Sequence, residues 1–220
     1  MPRARSLSAQ RAISVSHTSH RSLQDVARWY GHAATHVLLV NAMPEGRHAQ
    51  LRPFDERGWC FFEEAAASLL KTDECLWELD RFTGGETYSE IYKQLGRPRK
   101  PPMSPERFAH VLSDGIRRGR LALSVGSDLS LLCTLYESFF TEAYESFLTT
   151  YPGRTIIFYT DKGWGDADAP TLAEAIRYAA RQCSFTSDKL ILHTTAGNAF
   201  GEDALDLLWE SAAGSRLKIK

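Results

Sequence analysis

The C-terminal third of the sequence contains the same strand–turn–helix pattern twice. An apolar run at 155–159 leads through Trp164-Gly165-Asp166 into a helix predicted for 170–181. A second run at 189–193 leads through Phe200-Gly201-Glu202, which lies 36 residues further along, into a helix predicted for 203–213. Short apolar runs that alternate with helices are typical of parallel strands joined by helical connections. The sequence therefore predicts an α/β fold that ends in two parallel strand–helix repeat units.

These two units resemble leucine-rich repeats of the ribonuclease-inhibitor type, with degenerate consensus positions. The resemblance implies that the units stack, with apolar side chains of the strands and covering helices in a shared core. The residues concerned are Ile157, Leu190 and Leu192 on the strands and Leu172, Ile176, Leu205 and Leu208 on the helices. Because such arrays normally need about three units, either the units pack on the preceding helix or they belong to a longer array.

A second constraint lies in residues 36–71, where an apolar strand at 36–41 is followed by a polar loop and a helix predicted for 58–71. Trp59 and Glu63 are four residues apart and so share one face of this helix. Partial burial beside the indole would raise the pKa of Glu63 and let it hydrogen-bond to a sugar hydroxyl or a nascent cation. In the alternative interpretation, Glu63 is a first-turn acid and Trp59 a core aromatic. Glu64 is predicted to point about 100° away, into solvent.

Residues 23–71 resemble the second half of a Toll/interleukin-1-receptor-like (TIR-like) domain, through the order helix, strand, loop and then Arg57-Gly58-Trp59-Cys60-x-x-Glu63. In the family members that cleave NAD, the acid at this position is the catalytic carboxylate. The resemblance thus implies Glu63 as a catalytic residue, Trp59 as a ligand-binding residue and NAD as the cofactor. Residues 1–22 offer no counterpart to the family's first strands and nucleotide-facing loop, which favours a non-enzymatic role.

Composition excludes several classes of function. The net charge of −1 gives no field that attracts nucleic acid, and no apolar run approaches the roughly 20 residues of a membrane span. The four cysteines are dispersed, without a Cys-x-x-Cys, so the sequence predicts reduced thiols and no metal site. We expect a cytoplasmic protein. The alternative is an organelle, since residues 1–22 are rich in Arg and Ser and contain no acid.

The predicted organisation has two units joined near residue 100. Its segments are a disordered basic tail (1–22), a partial TIR-like α/β unit (23–95), a Pro-rich linker (96–105), a helical region (106–150), the repeat-like units (151–214) and a tail (215–220). Further helices are predicted at 22–34, 88–95 and 128–149, and Ser104 is predicted to cap a helix whose first residue is Pro105. The linker should be exposed, with Arg99 as its trypsin site.

The sequence thus favours a non-enzymatic protein-interaction or scaffold protein, of the kind found in signalling. Its partner would be another protein, or a second copy of the chain, and no cofactor is expected. The alternative is a TIR-like NAD-cleaving or nucleotide-binding enzyme that uses Glu63.

Overall fold

The protein is a mixed α/β structure. The computed structural model describes residues 30, 35–42, 52–69, 75–85, 87–145, 156–159, 162–184, 190–194 and 196–220. The helices within these ranges are α1 (Gly58–Ala67), α2 (Tyr88–Leu95), α3 (Pro105–Arg117), α4 (Asp128–Glu145), α5 (Ala169–Gln182) and α6 (Glu202–Ala212). The strands are β1 (Val37–Leu39), β2 (Leu76–Glu78), β3 (Ile156–Phe158), β4 (Leu190–His193) and β5 (Leu217–Ile219). This confirms the predicted α/β class.

The strands form two parallel sheets. One contains β1 and β2, and the other has the order β3-β4-β5, with α5 and α6 as the connections between its strands. Strand β3 pairs with β4 so that Ile156 lies opposite Ile191. The structural offset is therefore 35 residues, one fewer than the offset between the sequence motifs. Strand β5 lies in the segment predicted as a tail, so that prediction was wrong. Strand β5 has only three residues, which are too few to show the alternation of apolar and polar side chains that predicts a strand.

One buried apolar cluster runs through most of the described structure. It includes Phe62 of α1, Phe108 of α3, Tyr136 of α4 and Ile176 of α5, together with Leu192 of β4. The Phe108 and Tyr136 rings stack with their centroids 4.0 Å apart. The cluster thus contains residues from both sides of position 100, where two separate units were predicted. The predicted segment boundaries themselves are partly outside the described residues and stay predictions.

The Pro-rich segment 96–105 differs from the expected exposed linker. Arg99 is only 4% exposed, and its guanidinium donates hydrogen bonds to the backbone carbonyls of Ser68 and Leu69. The prediction that Arg99 is exposed was wrong because an arginine between prolines can still satisfy its donors on a helix C-terminus. The predicted cap is confirmed, since the Ser104 hydroxyl accepts a hydrogen bond from the Arg107 backbone N–H at 3.1 Å.

Other predictions fall on residues that the structure does not describe. The tail 1–22 lies wholly outside them, and of the helix predicted for 22–34 only Tyr30 is described, in a helical conformation. Among the described residues, no helix combines the length and apolar character needed to cross a bilayer.

Candidate functional site

The N-terminus of α1 packs against the turn between α3 and α4. The Gly58 backbone N–H donates to the Ala122 carbonyl at 2.8 Å, and the Ala122 N–H donates to the Glu56 carbonyl at 2.9 Å. A Cβ on Gly58 would lie 2.5 Å from a methyl group of Leu123, so any larger residue here would require the Leu123 side chain to move. The start of α1 is therefore covered by protein, although the helix was predicted to follow a polar loop.

Trp59 is partly buried between α1 and α4. Its indole N–H donates to Asp128 Oδ2 at 2.9 Å, at the first residue of α4. Its ring meets the buried Phe62 ring edge to face, with the centroids 6.1 Å apart. The indole N–H is thus engaged in a contact between two helices. This geometry matches the interpretation of Trp59 as a core aromatic.

Glu63 is partly buried next to Tyr30. Burial raises the pKa of the Glu63 carboxyl, while a hydrogen bond donated by the Tyr30 phenol lowers it in part. Burial, together with the Glu63 charge, raises the pKa of Tyr30 to about 12. The same two causes raise the pKa of the Cys60 thiol, against an opposing effect of Arg57. Trp59 and Glu63 therefore contact different partners. Nothing in the sequence analysis paired Glu63 with Tyr30, which is 33 residues away.

The acid with the least exposure on α1 is Glu64 rather than Glu63. Glu64 is 8% exposed, and its Oε1 lies 3.0 Å from Arg97 and 2.9 Å from Lys100. Arg97 also lies 3.4 Å from Glu78 at the end of β2. The prediction that Glu64 is solvated was wrong because the basic segment after α2 lies across this side of α1. A signal was present in the sequence, since residues 97–100 hold three cations.

The outer face of the β1–β2 sheet is a surface that the sequence analysis did not identify. We call it the apolar face and define it by Leu38, Val40, Trp77 and Tyr88. Leu38, Val40 and Tyr88 are 51%, 59% and 67% exposed. Leu38 lies opposite Trp77 in the sheet register, and the Trp77 and Tyr88 ring centroids are 6.3 Å apart. Burial alternates along β1, with Val37 and Leu39 buried and the residues between and after them exposed. The sequence gives no sign of this, because residues 37–40 are all apolar.

In the described ranges, no group of three or more His, Cys, Asp or Glu side chains is placed to hold a metal ion. A groove of about 430 Å³ between α3 and α5 has arginines and glutamates in its lining, and two of them, Arg107 and Glu174, form an ion pair at 3.1 Å. It brings together none of the predicted site residues.

Comparison of the chain with protein-family models, with curated proteins and with solved structures finds no match.

Proposed function

We propose that this chain is a non-enzymatic protein-interaction or scaffold protein that binds a protein partner through its apolar face. The observation that carries the proposal is the exposure of Leu38, Val40 and Tyr88 around Trp77 on one side of a parallel sheet. Contiguous exposed apolar side chains on an otherwise polar surface mark interaction sites.

The geometry of the sheet gives the physical reason. Parallel sheets normally have both faces covered. Here the inner face carries Val37 and Leu39, which pack with Ala67 of α1 and Leu76 of β2 in a small buried cluster. On the outer face, Leu38 and Val40 are 51% and 59% exposed. A partner that covers it would remove about 25 cal/mol of unfavourable hydration per Å² of apolar surface.

Two observations support the resemblance to TIR-like and leucine-rich-repeat modules. The order β1 and then α1, with Trp59 and Glu63 on α1, matches the order expected of a TIR-like fragment. In the second sheet, the Asn198 amide spans both strand–helix units: its Oδ1 accepts from the Lys162 and Trp164 backbone N–H groups, and its Nδ2 donates to the Tyr159 carbonyl at 2.8 Å. A side chain that joins the loop of one unit to that of the next supports a repeat-like organisation.

The alternative function is NAD cleavage or nucleotide binding by Glu63. One observation favours it, namely that a partly buried carboxyl with a raised pKa and a phenol partner is a candidate acid–base group. Two observations favour the interaction role. The Trp59 N–H is already bonded to Asp128, and the α1 N-terminus already donates to Ala122.

The interaction role can be tested with tagged full-length chain carrying Leu38→Ser and Val40→Ser together. The matched control carries Val125→Ser and Trp209→Ser, since Val125 and Trp209 are similarly exposed elsewhere on the surface. We expect the wild-type chain and the control to retain a protein that the double variant does not retain. Once purified, that protein should bind the wild-type chain at least about tenfold more tightly than it binds the double variant. Identical binding by all three chains would overturn the proposal.

The enzyme alternative has its own test. Wild type and Glu63→Gln are incubated with NAD, and its consumption is followed by chromatography. We expect the two to be indistinguishable. Turnover by wild type that Glu63→Gln abolishes would replace the interaction proposal with the enzymatic one.

A further inference from the structure

We propose that a groove between α1 and α3 binds a ligand in which a carboxylate is attached to an apolar body, as in a fatty acid or the C-terminal residue of a polypeptide. The groove has a volume of about 560 Å³, which is within the range of small-molecule sites. Its apolar lining is Phe61 of α1, Val111 of α3 and Leu121, and Arg120 also lines it. None of these residues belongs to the apolar face, so this inference goes beyond the proposed interaction role and does not depend on it.

Three arginines beside the groove share one carboxylate. Arg118 Nε lies 2.9 Å and Arg120 Nη2 lies 2.8 Å from Asp114 Oδ2, while Arg117 pairs with Oδ1. We call Arg117, Arg118 and Arg120 the arginine cluster. Since Asp114 offsets only one of their charges, the cluster keeps two positive charges that this carboxylate does not neutralise. A guanidinium has more N–H donors than one carboxylate contact uses, so the cluster can also donate to a ligand.

Backbone hydrogen bonds define the turn that carries Arg120. The Arg120 and Leu121 N–H groups both donate to the Gly115 carbonyl, at 2.9 and 3.0 Å. Gly119 has a φ of 71°, a left-handed conformation that glycine adopts without strain after a helix. The Gly119 carbonyl accepts a hydrogen bond from Arg52 Nη1 at 3.0 Å. Arginines from two distant parts of the sequence therefore meet at this one turn.

Stabilisation of the α3 C-terminus explains only part of the arginine cluster. Cations are favourable in the last turn of a helix, and Arg117 is the last residue of α3. Arg120 lies beyond the end of the helix and lines the groove. A third guanidinium on a carboxylate that is already paired adds repulsion among the cations. An external anion bound to the cluster would relieve this repulsion.

The rest of the lining favours a carboxylate with an apolar body over a phosphate. Asp55 and Glu56 also line the groove. The Glu56 charge is offset by Arg52 at 3.7 Å, and the Asp55 charge opposes a dianion more strongly than a monoanion. The Phe61 ring stacks on the Phe108 ring with the centroids 5.5 Å apart. Together with the other apolar side chains of the lining, Phe61 gives a surface on which methylene groups can be removed from water.

The experiment titrates the full-length chain with octanoate, acetate and octanol and follows the amide signals of Gly115 and Gly119 by NMR. We expect octanoate to bind at least about tenfold more tightly than acetate, which lacks the apolar body, or octanol, which lacks the charge. From butanoate to octanoate, the affinity should increase about two- to fourfold with each methylene. Equal affinity for octanoate and octanol would overturn the proposal, as would the absence of saturable octanoate binding up to about 10 mM.

The charge requirement is tested with Arg120→Gln. The matched control is Arg181→Gln, which changes an exposed arginine on α5 that does not line this groove. Both variants should keep the far-UV circular dichroism of wild type. Arg120→Gln should bind octanoate about fivefold more weakly than wild type and octanol equally well, whereas the control should match wild type for both. Octanoate affinity unchanged by Arg120→Gln would show that the arginine cluster does not hold the carboxylate. The ligand series tests the proposal on wild type alone, so it does not depend on the folding of a variant.

A further titration identifies the source of the carboxylate. The probe is an acetylated dipeptide that ends in leucine, with a free C-terminal carboxylate or with an amide in its place. If the free acid binds at least as tightly as octanoate and the amide does not, the ligand is the C-terminal residue of a polypeptide. If octanoate binds and neither peptide does, the ligand is a free apolar acid. Binding of the amide as tightly as the free acid would contradict the role of the carboxylate.

Discussion

The guanidinium carbon of Arg99 lies 4.9 Å above the centre of the Tyr159 ring. The same guanidinium donates from Nε to the Ser68 carbonyl at 2.5 Å and from Nη2 to the Leu69 carbonyl. The Arg99 carbonyl in turn accepts the Trp164 indole N–H at 2.6 Å. A single buried residue thus joins the C-terminus of α1 to the region that follows β3. A cation is favourable at this place because the last carbonyls of a helix carry partial negative charge.

Replacing Arg99 by Lys should destabilise the protein. An ammonium group cannot donate in two fixed directions and stack on a ring at the same time, as a planar guanidinium does. We expect a loss of about 2 kcal/mol in the free energy of unfolding, measured by urea denaturation. The control Arg117→Lys changes an exposed guanidinium and should stay within about 0.5 kcal/mol of wild type. Equal effects of the two substitutions would mean that Arg99 is not held as described.

Limited trypsin digestion should spare the bond after Arg99 in the native protein. Cleavage requires a segment that can open locally, and the Arg99 side chain and backbone are both engaged in buried contacts. We expect earlier cleavage after Arg118 or Arg120, which are exposed in the turn that follows α3. Mass spectrometry of the first fragments gives the order. A first cut at Arg99 would restore the exposed-linker interpretation.

The sequence predicted the elements well and their long-range contacts poorly. The helices α1 to α6 and the strands β1, β3 and β4 follow from apolar periodicity and local caps such as Ser104, which act over a few residues. Strands β2 (Leu76–Glu78) and β5 (Leu217–Ile219) lie in stretches without a long apolar run, so the sequence did not predict either of them. At the candidate site, Trp59 and Glu63 were placed correctly on one helix. Their partners Asp128 and Tyr30 are distant in sequence, and periodicity carries no information about them.

Substitution of Glu63 by Gln should make stability less dependent on pH. Burial raises the folded-state pKa of Glu63 above its ordinary value of 4.5. Below the unfolded-state pKa, the Glu63 carboxyl is protonated in both the folded and the unfolded state, so it does not lower the free energy of unfolding. As pH rises through the folded-state pKa, the folded protein must ionise a buried group, so this contribution to stability is lost. Glu63→Gln should therefore gain stability relative to wild type between about pH 4.5 and pH 7.

Urea midpoints measured at half-unit pH intervals give the comparison, with Glu210→Gln on the exposed side of α6 as the control. If the difference between wild type and Glu63→Gln stays constant over this range, Glu63 is not held in the partly buried position next to Tyr30.

Truncation of the Asn198 side chain should lower the free energy of unfolding. Its amide makes hydrogen bonds to the backbone of Tyr159, Lys162, Trp164 and Thr194. Asn198→Ala leaves these groups to be satisfied by water or not at all, and we expect a loss of about 2–3 kcal/mol in unfolding free energy. Asn198→Asp keeps the acceptor but places a charge beside two carbonyls, so it should not restore stability. A cost below about 0.5 kcal/mol would argue against Asn198 as the link between the two strand–helix units.

Leu192 tests whether the two halves of the chain fold together. Its side chain is 0% exposed and belongs to the same buried cluster as Phe62 of α1. Leu192→Asp would bury a charge without a partner, which should lower the free energy of unfolding by several kcal/mol. The control is Lys218→Asp on the neighbouring strand, which changes an exposed side chain and should be tolerated. Because the cluster is shared, we expect Leu192→Asp to remove amide-exchange protection from α1 as well as from α5 and α6. Protection kept in α1 but lost after residue 156 would show two independently stable units, since a common core cannot unfold by halves.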